Sequence, residues 1–240
     1  MSDDFDDLIG DIEGELDLTL YADAPELVTE VTSQILAAIE RGLKVQSQFH
    51  LVLTGGTLGV QISEFLLKEW NAQPDAFAGL HIWWSDERFV EFDSSDRNDL
   101  ELSKLLNESS KVKIHRTPGS GDINKVAREF AEELQNVEID LNIIGVGPDG
   151  HVASLFPDAI HQGETRKAFE VKNSPKPPVQ RITFSLNEIN SAKEIWVIAS
   201  GSSKTSAVEG FLDGDMKLPV SHVKASRLLV DAAAFGVNQE

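Results

Sequence analysis

The residues best suited to chemistry lie in one stretch, Leu141 to Pro157, where an apolar run gives way to three glycines and a histidine. The apolar run predicts a buried strand, and the glycines predict a turn at its carboxyl end. Asp149 and His151 lie in or beside that turn. Because histidine titrates near neutral pH, His151 at the rim of a sheet is suited to act as a general base. The alternative is a histidine that only satisfies the hydrogen bonds of the turn.

The glycines Gly145, Gly147 and Gly150 also match the G-x-G-x-x-G pattern of dinucleotide sites, and Glu170 lies near the distance expected for a ribose-binding acid. Such a site needs a full helix after the glycines, so that the helix N-terminus faces the pyrophosphate. Pro157 leaves room for only one or two helical turns. The sequence therefore argues against a dinucleotide site, and we expect no cofactor.

Two other turns that follow predicted strands carry groups suited to anions. Thr54-Gly55-Gly56-Thr57 leads from an apolar run into a helical pattern, which would present backbone N–H groups and hydroxyls to a phosphate. The alternative is an ordinary tight connection. Ser200 to Lys204 leads into another helical pattern, and Lys204 adds an ammonium group to that helix N-terminus.

A third group of polar residues, Asp86-Glu87-Arg88, follows a predicted strand. Charges at a strand end are usually a solvated loop. An arginine beside two acids can also be held in a fixed orientation toward an anion or an oxyanion. On this reading we expect Asp86 to orient Arg88.

Composition restricts the kind of protein and its partners. A net charge of −19 argues against nucleic acid and requires an anionic substrate to find a local basic pocket. The absence of cysteine excludes disulfides and thiolate chemistry.

No apolar stretch approaches the roughly 20 residues of a membrane span, and no secretory signal is evident, so we expect a cytoplasmic protein with no membrane partner. The six histidines are scattered and no calcium-binding loop is present, so we expect no metal.

Alternating strands and helices predict the element order that positions these residues. We expect a single three-layer α/β domain over residues 18–240, with a mostly parallel, Rossmann-like sheet and helices on both faces. Residues 1–17 are predicted to be a solvated acidic tail. Ligands of such sheets bind beyond the carboxyl ends of the strands, where all the polar turns fall. The predicted strands cover 49–53, 80–84, 112–115, 141–145, 181–185, 194–199 and 227–231. Five helices are predicted. The first begins at the Asp23 cap and ends near Gly42, and the second follows the turn at Thr57 and runs to Trp70. The others cover residues 99–108, residues 123–135 and a segment after Lys204.

The segment Gly145-Val-Gly-Pro-Asp-Gly-His-Val-Ala-Ser-Leu-Phe-Pro157 resembles the signature of the 6-phosphogluconolactonases. The related glucosamine-6-phosphate deaminases share Gly-x-Gly-x-Asp-Gly-His but usually continue with Ile-Ala-Phe-Asn-Glu-Pro. The continuation Ser154 to Pro157 therefore favours the lactonase branch. The resemblance extends over nearly the whole chain from about residue 20.

Other segments resemble the same family and carry its implied roles. The turn at Thr54, with threonine in place of the usual serine, is similar to a loop that contacts the sugar phosphate, and Lys204 lies in a similar Gly-x-x-Lys element. The resemblance also directs Asn98 and Arg181 to the substrate. Arg97 replaces a serine of the family, so the resemblance implies no hydroxyl contact at that position. The segment after Leu218 matches the family only loosely.

The resemblance implies hydrolysis of 6-phospho-D-glucono-1,5-lactone to 6-phosphogluconate. In the mechanism expected, His151 activates water, Asp149 or a backbone group orients the imidazole, and Arg88 or loop N–H groups stabilise the oxyanion. No Gly-x-Ser-x-Gly elbow occurs, so a covalent acyl-enzyme is not expected. The alternatives are a glucosamine-6-phosphate deaminase or isomerase, and a sugar-phosphate-binding protein without catalysis.

Overall fold

The computed structural model describes residues 16–159 and 163–237. The strands are β1 (Asp17–Tyr21), β2 (Phe49–Leu53), β3 (Leu80–Trp84), β4 (Asp86–Arg88), β5 (Lys113–Ile114), β6 (Leu141–Gly145), β7 (Ala168–Val171), β8 (Arg181–Phe184), β9 (Glu194–Ala199) and β10 (Arg227–Asp231). The α-helices are α1 (Ala24–Val45), α2 (Gly56–Ala72), α3 (Leu100–Leu105), α4 (Ile123–Glu133), α5 (Leu186–Ile189) and α6 (Thr205–Leu212).

Seven strands form a parallel sheet in the order β1-β10-β9-β6-β2-β3-β5. One apolar cluster joins this sheet to α1 and α2, through residues such as Ile35 and Trp70. A second cluster joins it to α4 and α6, through residues such as Phe130 and Val208. A parallel sheet must be covered on both faces, because its strands are apolar on both. This arrangement confirms the predicted three-layer α/β fold.

A second, antiparallel sheet in the order β4-β8-β7 was not predicted. The predicted strands leave residues 158–180 without one, but these residues contain β7, and Asp86–Arg88 form a strand although charges after a strand usually indicate a solvated loop. β8 belongs to this small sheet and is absent from the main one. These strands have three or four residues each, too few to show a sequence period, and pairing with distant segments defines them.

The first helix begins as predicted and ends later. Asp23 Oδ1 accepts a hydrogen bond from Glu26 N at 2.9 Å, and Glu26 Oε2 accepts one from Ala22 N at 2.6 Å. This differs from a capping box only in that the second bond comes from the residue before the cap. The predicted end near Gly42 is wrong by three residues, because α1 continues to Val45. Gly42 is accounted for by packing, since a Cβ there would lie 2.3 Å from Phe49 Cδ2.

At the N-terminus, Asp17 was assigned to the acidic tail but is the first residue of β1, where it pairs with Arg227. Its Oδ2 also lies 2.9 Å from Arg227 Nε. The rest of the predicted tail, up to residue 15, lies outside the described residues. Among the described helices, none has the length and apolar character required to cross a membrane.

Candidate active site

A cavity of ≈ 430 Å³ opens at the carboxyl ends of β2, β6 and β9, where a parallel α/β sheet places its ligands. Every predicted site residue except Asp149 lines this cavity: Thr54, Gly55, Gly56, Thr57, Asp86, Arg88, Asn98, His151, Arg181 and Lys204. These residues come from six separate segments of the chain. Parallel strands gather them, because their carboxyl ends meet at one edge of the sheet.

Asp149 lies behind His151 and accepts a short hydrogen bond from its Nδ1. This bond requires the proton of the neutral imidazole to be on Nδ1, which leaves Nε2 as an unprotonated acceptor. The His151 side chain is 19% exposed and its ring packs 5.0 Å from that of Phe156. Asp149 therefore supplies the orienting carboxylate for which the sequence left a backbone group as an alternative.

Burial lowers the pKa of His151, while the hydrogen bond and the charge of Asp149 act in the opposite direction. For Asp149 burial would raise the pKa, but the hydrogen bond from His151 and its charge outweigh burial and lower it. A carboxylate beside a histidine that is neutral near pH 7 is the protonation state that general base catalysis needs. Gly147 permits this contact, because a Cβ there would lie 1.9 Å from His151 Nδ1.

The turn after β2 starts α2 directly. Gly55 is the N-cap residue, and because glycine has no side chain, it cannot cap the first N–H groups of the helix. Gly56 has a φ of 75°, which favours glycine. Thr54 Oγ1 accepts a hydrogen bond from Gly145 N at 3.1 Å, which links this turn to the end of β6. The free N–H groups of the helix and the Thr57 hydroxyl line the cavity and can bind an anion.

Arg88 and Arg181 are direct cross-strand partners in the small sheet. Like charges opposite one another in a sheet are unfavourable, so the pair is suited to a site that receives a negatively charged ligand. Burial lowers the pKa of Arg181; the charge of Asp86 opposes this and that of Arg88 adds to it. The small sheet, which the sequence did not predict, thus brings two cations to one wall of the cavity.

The expected pairing of Asp86 with Arg88 is not the arrangement that the structure has. Asp86 Oδ2 lies 3.6 Å from Arg181 Nη1 and accepts a hydrogen bond from Ser154 Oγ at 2.6 Å. Arg88 Nη1 instead donates to the carbonyl oxygen of Asp96 at 2.5 Å. Asp86 and Arg88 are two positions apart and therefore lie on the same face of β4, as the expected pairing requires. The actual partner of each depends on the neighbouring strand, which sequence spacing does not reveal.

Asn98 and Arg97 have different roles although they are adjacent. Asn98 Nδ2 donates to the carbonyl oxygen of Asp86 at 2.9 Å, and Asn98 lines the cavity. Arg97 is buried, and its guanidinium binds both carboxylate oxygens of Asp99 at 2.8 and 2.7 Å. Arg97 therefore supports the loop, and it is not among the residues that line the cavity.

Lys204 ends a short 3₁₀ turn immediately before α6. Burial lowers its pKa, the charge of Lys176 lowers it further and Asp149 opposes both. Asp231, at the end of β10, accepts hydrogen bonds from Ser200 Oγ and Gly201 N at 2.5 and 3.0 Å, and so holds the turn that presents this lysine.

Sequence reasoning missed several residues that support the site. Ser154 lies three positions after His151 and ties its loop to Asp86, Asp231 holds the lysine turn, and Lys176 contributes positive charge near His151. Ser154 belongs to the continuation that favours the lactonase branch, but its contact depends on a strand 68 residues earlier. Among the described residues, no group of histidine, aspartate and glutamate side chains is placed to hold a metal ion.

The fold and the site together define an α/β protein whose cavity places two arginines, a lysine and a helix N-terminus beside an oriented histidine. A family-wide sequence profile described as glucosamine-6-phosphate isomerases/6-phosphogluconolactonase matches residues 22–230. The chain therefore belongs to this family, which confirms the resemblance seen in its sequence.

Individual relatives agree. The chain is 31% identical over 238 residues to a probable 6-phosphogluconolactonase of Drosophila melanogaster, with 92% of this chain and 95% of the relative covered. It is 29% identical to the 6-phosphogluconolactonase of Mycobacterium leprae, covering 81% and 85% of the two chains. The crystal structure of the 6-phosphogluconolactonase of Thermotoga maritima superposes with a TM-score of 0.77 at 25% identity, covering 90% of this chain and 99% of the other.

Proposed function

We propose that this protein hydrolyses 6-phospho-D-glucono-1,5-lactone to 6-phosphogluconate, the second step of the oxidative pentose phosphate pathway. The observation that carries the proposal is the His151–Asp149 pair at a cavity that also presents Arg88, Arg181 and Lys204. The substrate carries an ester carbonyl and a phosphate. The histidine–aspartate pair is suited to attack on the carbonyl, and the cations are suited to the phosphate and to the oxyanion. The names of the relatives that cover most of the chain support the same activity.

In the proposed reaction, His151 Nε2 accepts a proton from water as the water oxygen bonds to C1 of the lactone. Asp149 stabilises the imidazolium that forms. The carbonyl oxygen becomes an oxyanion, which Arg88 or backbone N–H groups of the loops stabilise. The bond between C1 and the ring oxygen then breaks, and the imidazolium returns its proton to that oxygen. The new carboxylic acid loses a proton to solvent.

The phosphate of the substrate is assigned to the remaining polar groups of the cavity. Backbone N–H groups at the start of α2, the hydroxyls of Thr54 and Thr57, and the ammonium group of Lys204 supply donors. Arg181 and Asn98 contact the sugar. These contacts offset the unfavourable field of a chain whose net charge is −19.

The test is lactone hydrolysis above the spontaneous rate, with the lactone generated in situ, for wild type and His151→Ala. We expect rapid hydrolysis by wild type, and a loss of at least about 100-fold in the variant, since general base catalysis contributes about 10²–10⁴-fold. Binding of 6-phosphogluconate by calorimetry should persist in the variant. No acceleration by wild type would refute the lactonase, and ammonia release from glucosamine 6-phosphate would then indicate the deaminase.

A further inference from the structure

Glu87 lies between two residues that line the cavity but is itself buried in β4, with 2% of its surface exposed. Its carboxylate accepts three backbone hydrogen bonds. Oε1 accepts from Arg88 N at 2.7 Å and from Asn98 N at 2.9 Å, and Oε2 accepts from Asp99 N at 3.0 Å. One side chain thus joins β4 to the segment that returns after a loop of nine residues, 89–97.

Charged groups surround this contact on the returning segment. Arg97 Nη2 lies 3.8 Å from Glu87 Oε2, and the same guanidinium is held by Asp99. Asp99 also binds Arg116 Nε at 2.8 Å. Burial raises the pKa of Glu87 to about 7, the charge of Asp99 raises it as well, and Arg97 and the backbone hydrogen bonds act in the opposite direction.

The two ends that Glu87 joins both carry cavity residues. Arg88 is the candidate for the oxyanion, and Asn98 packs between Asp86 and Gly55, where a Cβ on Gly55 would lie 2.1 Å from Asn98 Oδ1. A shift of the returning segment would therefore move Asn98 and the Asp96 carbonyl oxygen that holds Arg88. Both movements would change the shape of the substrate pocket.

We propose that Glu87 is a positioning residue whose carboxylate fixes the backbone that presents Arg88 and Asn98 to the substrate. This role rests on the proposed lactonase activity but involves no contact of Glu87 with the substrate. A carboxylate is required because three N–H donors converge on its two oxygens. A glutamine has one acceptor oxygen, and its NH₂ group would face the N–H of Asn98 and Arg88 or that of Asp99.

The experiment compares Glu87→Gln with Glu188→Gln in the full chain. Glu188 is the matched control, because it is also a buried glutamate with a raised pKa caused by burial, and it pairs with Lys167 away from the cavity. We expect kcat/KM for the lactone to fall by about 10- to 100-fold in Glu87→Gln, as small misplacements of catalytic groups do. The control should stay within about twofold of wild type.

The pH profile separates positioning from a general loss of stability. Glu87 ionises near pH 7, so wild type should gain activity through that pH as the carboxylate forms its three hydrogen bonds. His151 titrates below its usual pKa and gives a second, more acidic limb. In Glu87→Gln the limb near pH 7 should disappear while the more acidic one remains. A folded Glu87→Gln with wild-type kcat/KM and an unchanged profile would overturn the proposal.

A measurement on wild type alone covers the case in which the variant does not fold or the protein is not a lactonase. In NMR spectra the amide protons of Arg88, Asn98 and Asp99 should shift together as the Glu87 carboxyl carbon titrates. Amide shifts that do not follow that titration would show that the hydrogen bonds are not made, and the role of Glu87 would be rejected. A wild type without lactonase activity whose amides do follow it would refute the proposed function only.

Discussion

At the scale of single residues, the environment of each site group decides what it can do. Two opposing effects act on the pKa of His151: burial lowers it, and the hydrogen bond and charge of Asp149 raise it. The same Asp149 sets the tautomer through the bond to Nδ1. Arg88 and Arg181 likewise gain their significance from facing one another across a strand pair.

Replacing Asp149 with asparagine tests this balance. Loss of the carboxylate leaves the effect of burial on His151 less opposed, so its pKa should fall and the limb of the kcat profile that belongs to His151, the more acidic of the two, should move to lower pH. The imidazolium formed in the transition state also loses its counterion, so we expect kcat to fall by about 10²-fold or more, with a small change in KM. The measurement is kcat and KM from pH 5 to 9.

The exposed Asp158, which lies in the same segment, provides the control Asp158→Asn. That variant should keep both the rate and the profile of wild type. An Asp149→Asn enzyme in which the more acidic limb, that of His151, is unshifted would contradict the assignment of Asp149 as the orienting carboxylate.

At the scale of elements, local signals and packing against neighbours have separate effects. The side-chain cap at Asp23 starts α1, and its position follows from a few adjacent residues. The end of α1 does not follow from Gly42 in the same way. The glycine is needed there because the ring of Phe49 occupies the space where a Cβ would lie, and the helix continues past it to Val45. The turns before α2 and α6 depend on both effects, since glycine conformation and contacts to β6 or β10 hold them.

Gly42→Ala tests whether packing outweighs local preference. Alanine should favour the interior of a helix by about 1 kcal/mol, but a Cβ 2.3 Å from the ring of Phe49 would cause overpacking, which costs about 1–3 kcal/mol. We expect a net decrease of about 1 kcal/mol in the free energy of unfolding, measured by urea denaturation. The exposed neighbour Arg41→Ala should change it by less than about 0.5 kcal/mol. Stabilisation by Gly42→Ala would show that Phe49 moves freely.

At the scale of the whole molecule, a group of histidines at the amino-terminal ends of β2 and β3 links acid to stability. His81 Nδ1 lies 2.9 Å from His115 Nε2, and the other ring nitrogen of His115, Nδ1, lies 2.6 Å from Glu133 Oε1. Trp83 Nε1 donates a hydrogen bond to His50 Nδ1 at 3.1 Å. Burial, followed by the charges of His50, His115 and Lys113, lowers the pKa of His81 to about 4. The folded protein thus holds this ring neutral in the range where an unfolded chain protonates it.

The sign of the effect on stability follows from linkage. Between pH 6.5 and about 4 the unfolded state binds more protons at His81 than the folded state, so the contribution of His81 to the free energy of unfolding should decrease as the pH falls through that range. Glu87, whose pKa is raised to about 7, contributes with the opposite sign, so the test compares wild type with His81→Gln. Urea denaturation at pH 7.5 and 5.0 should show that, on going to pH 5.0, the free energy of unfolding changes less favourably in wild type than in His81→Gln. His222→Gln, outside this group, should behave as wild type. An equal change in His81→Gln and wild type would exclude His81 as a source.

Much of the main sheet could be predicted from the sequence. The strands Phe49–Leu53, Leu80–Trp84, Glu194–Ala199 and Arg227–Asp231 have the predicted bounds, because each is an apolar run between clear breaks. The polar turns after several strands could be assigned to one site for a general reason, since parallel strands end at the same edge. This is why residues as distant as Thr54 and Lys204 were expected together.

Only the tertiary structure decided which of these side chains contact one another. Asp86 binds Ser154 and lies beside Arg181, although its sequence neighbour Arg88 was expected, because β4 pairs with a strand nearly a hundred residues later. Glu87 bonds to a segment that returns through a loop. Residue types and local periods determine which of the longer elements form and where reactive groups can lie. Pairing of short, distant strands determines the partner of each charge, and no local pattern encodes it.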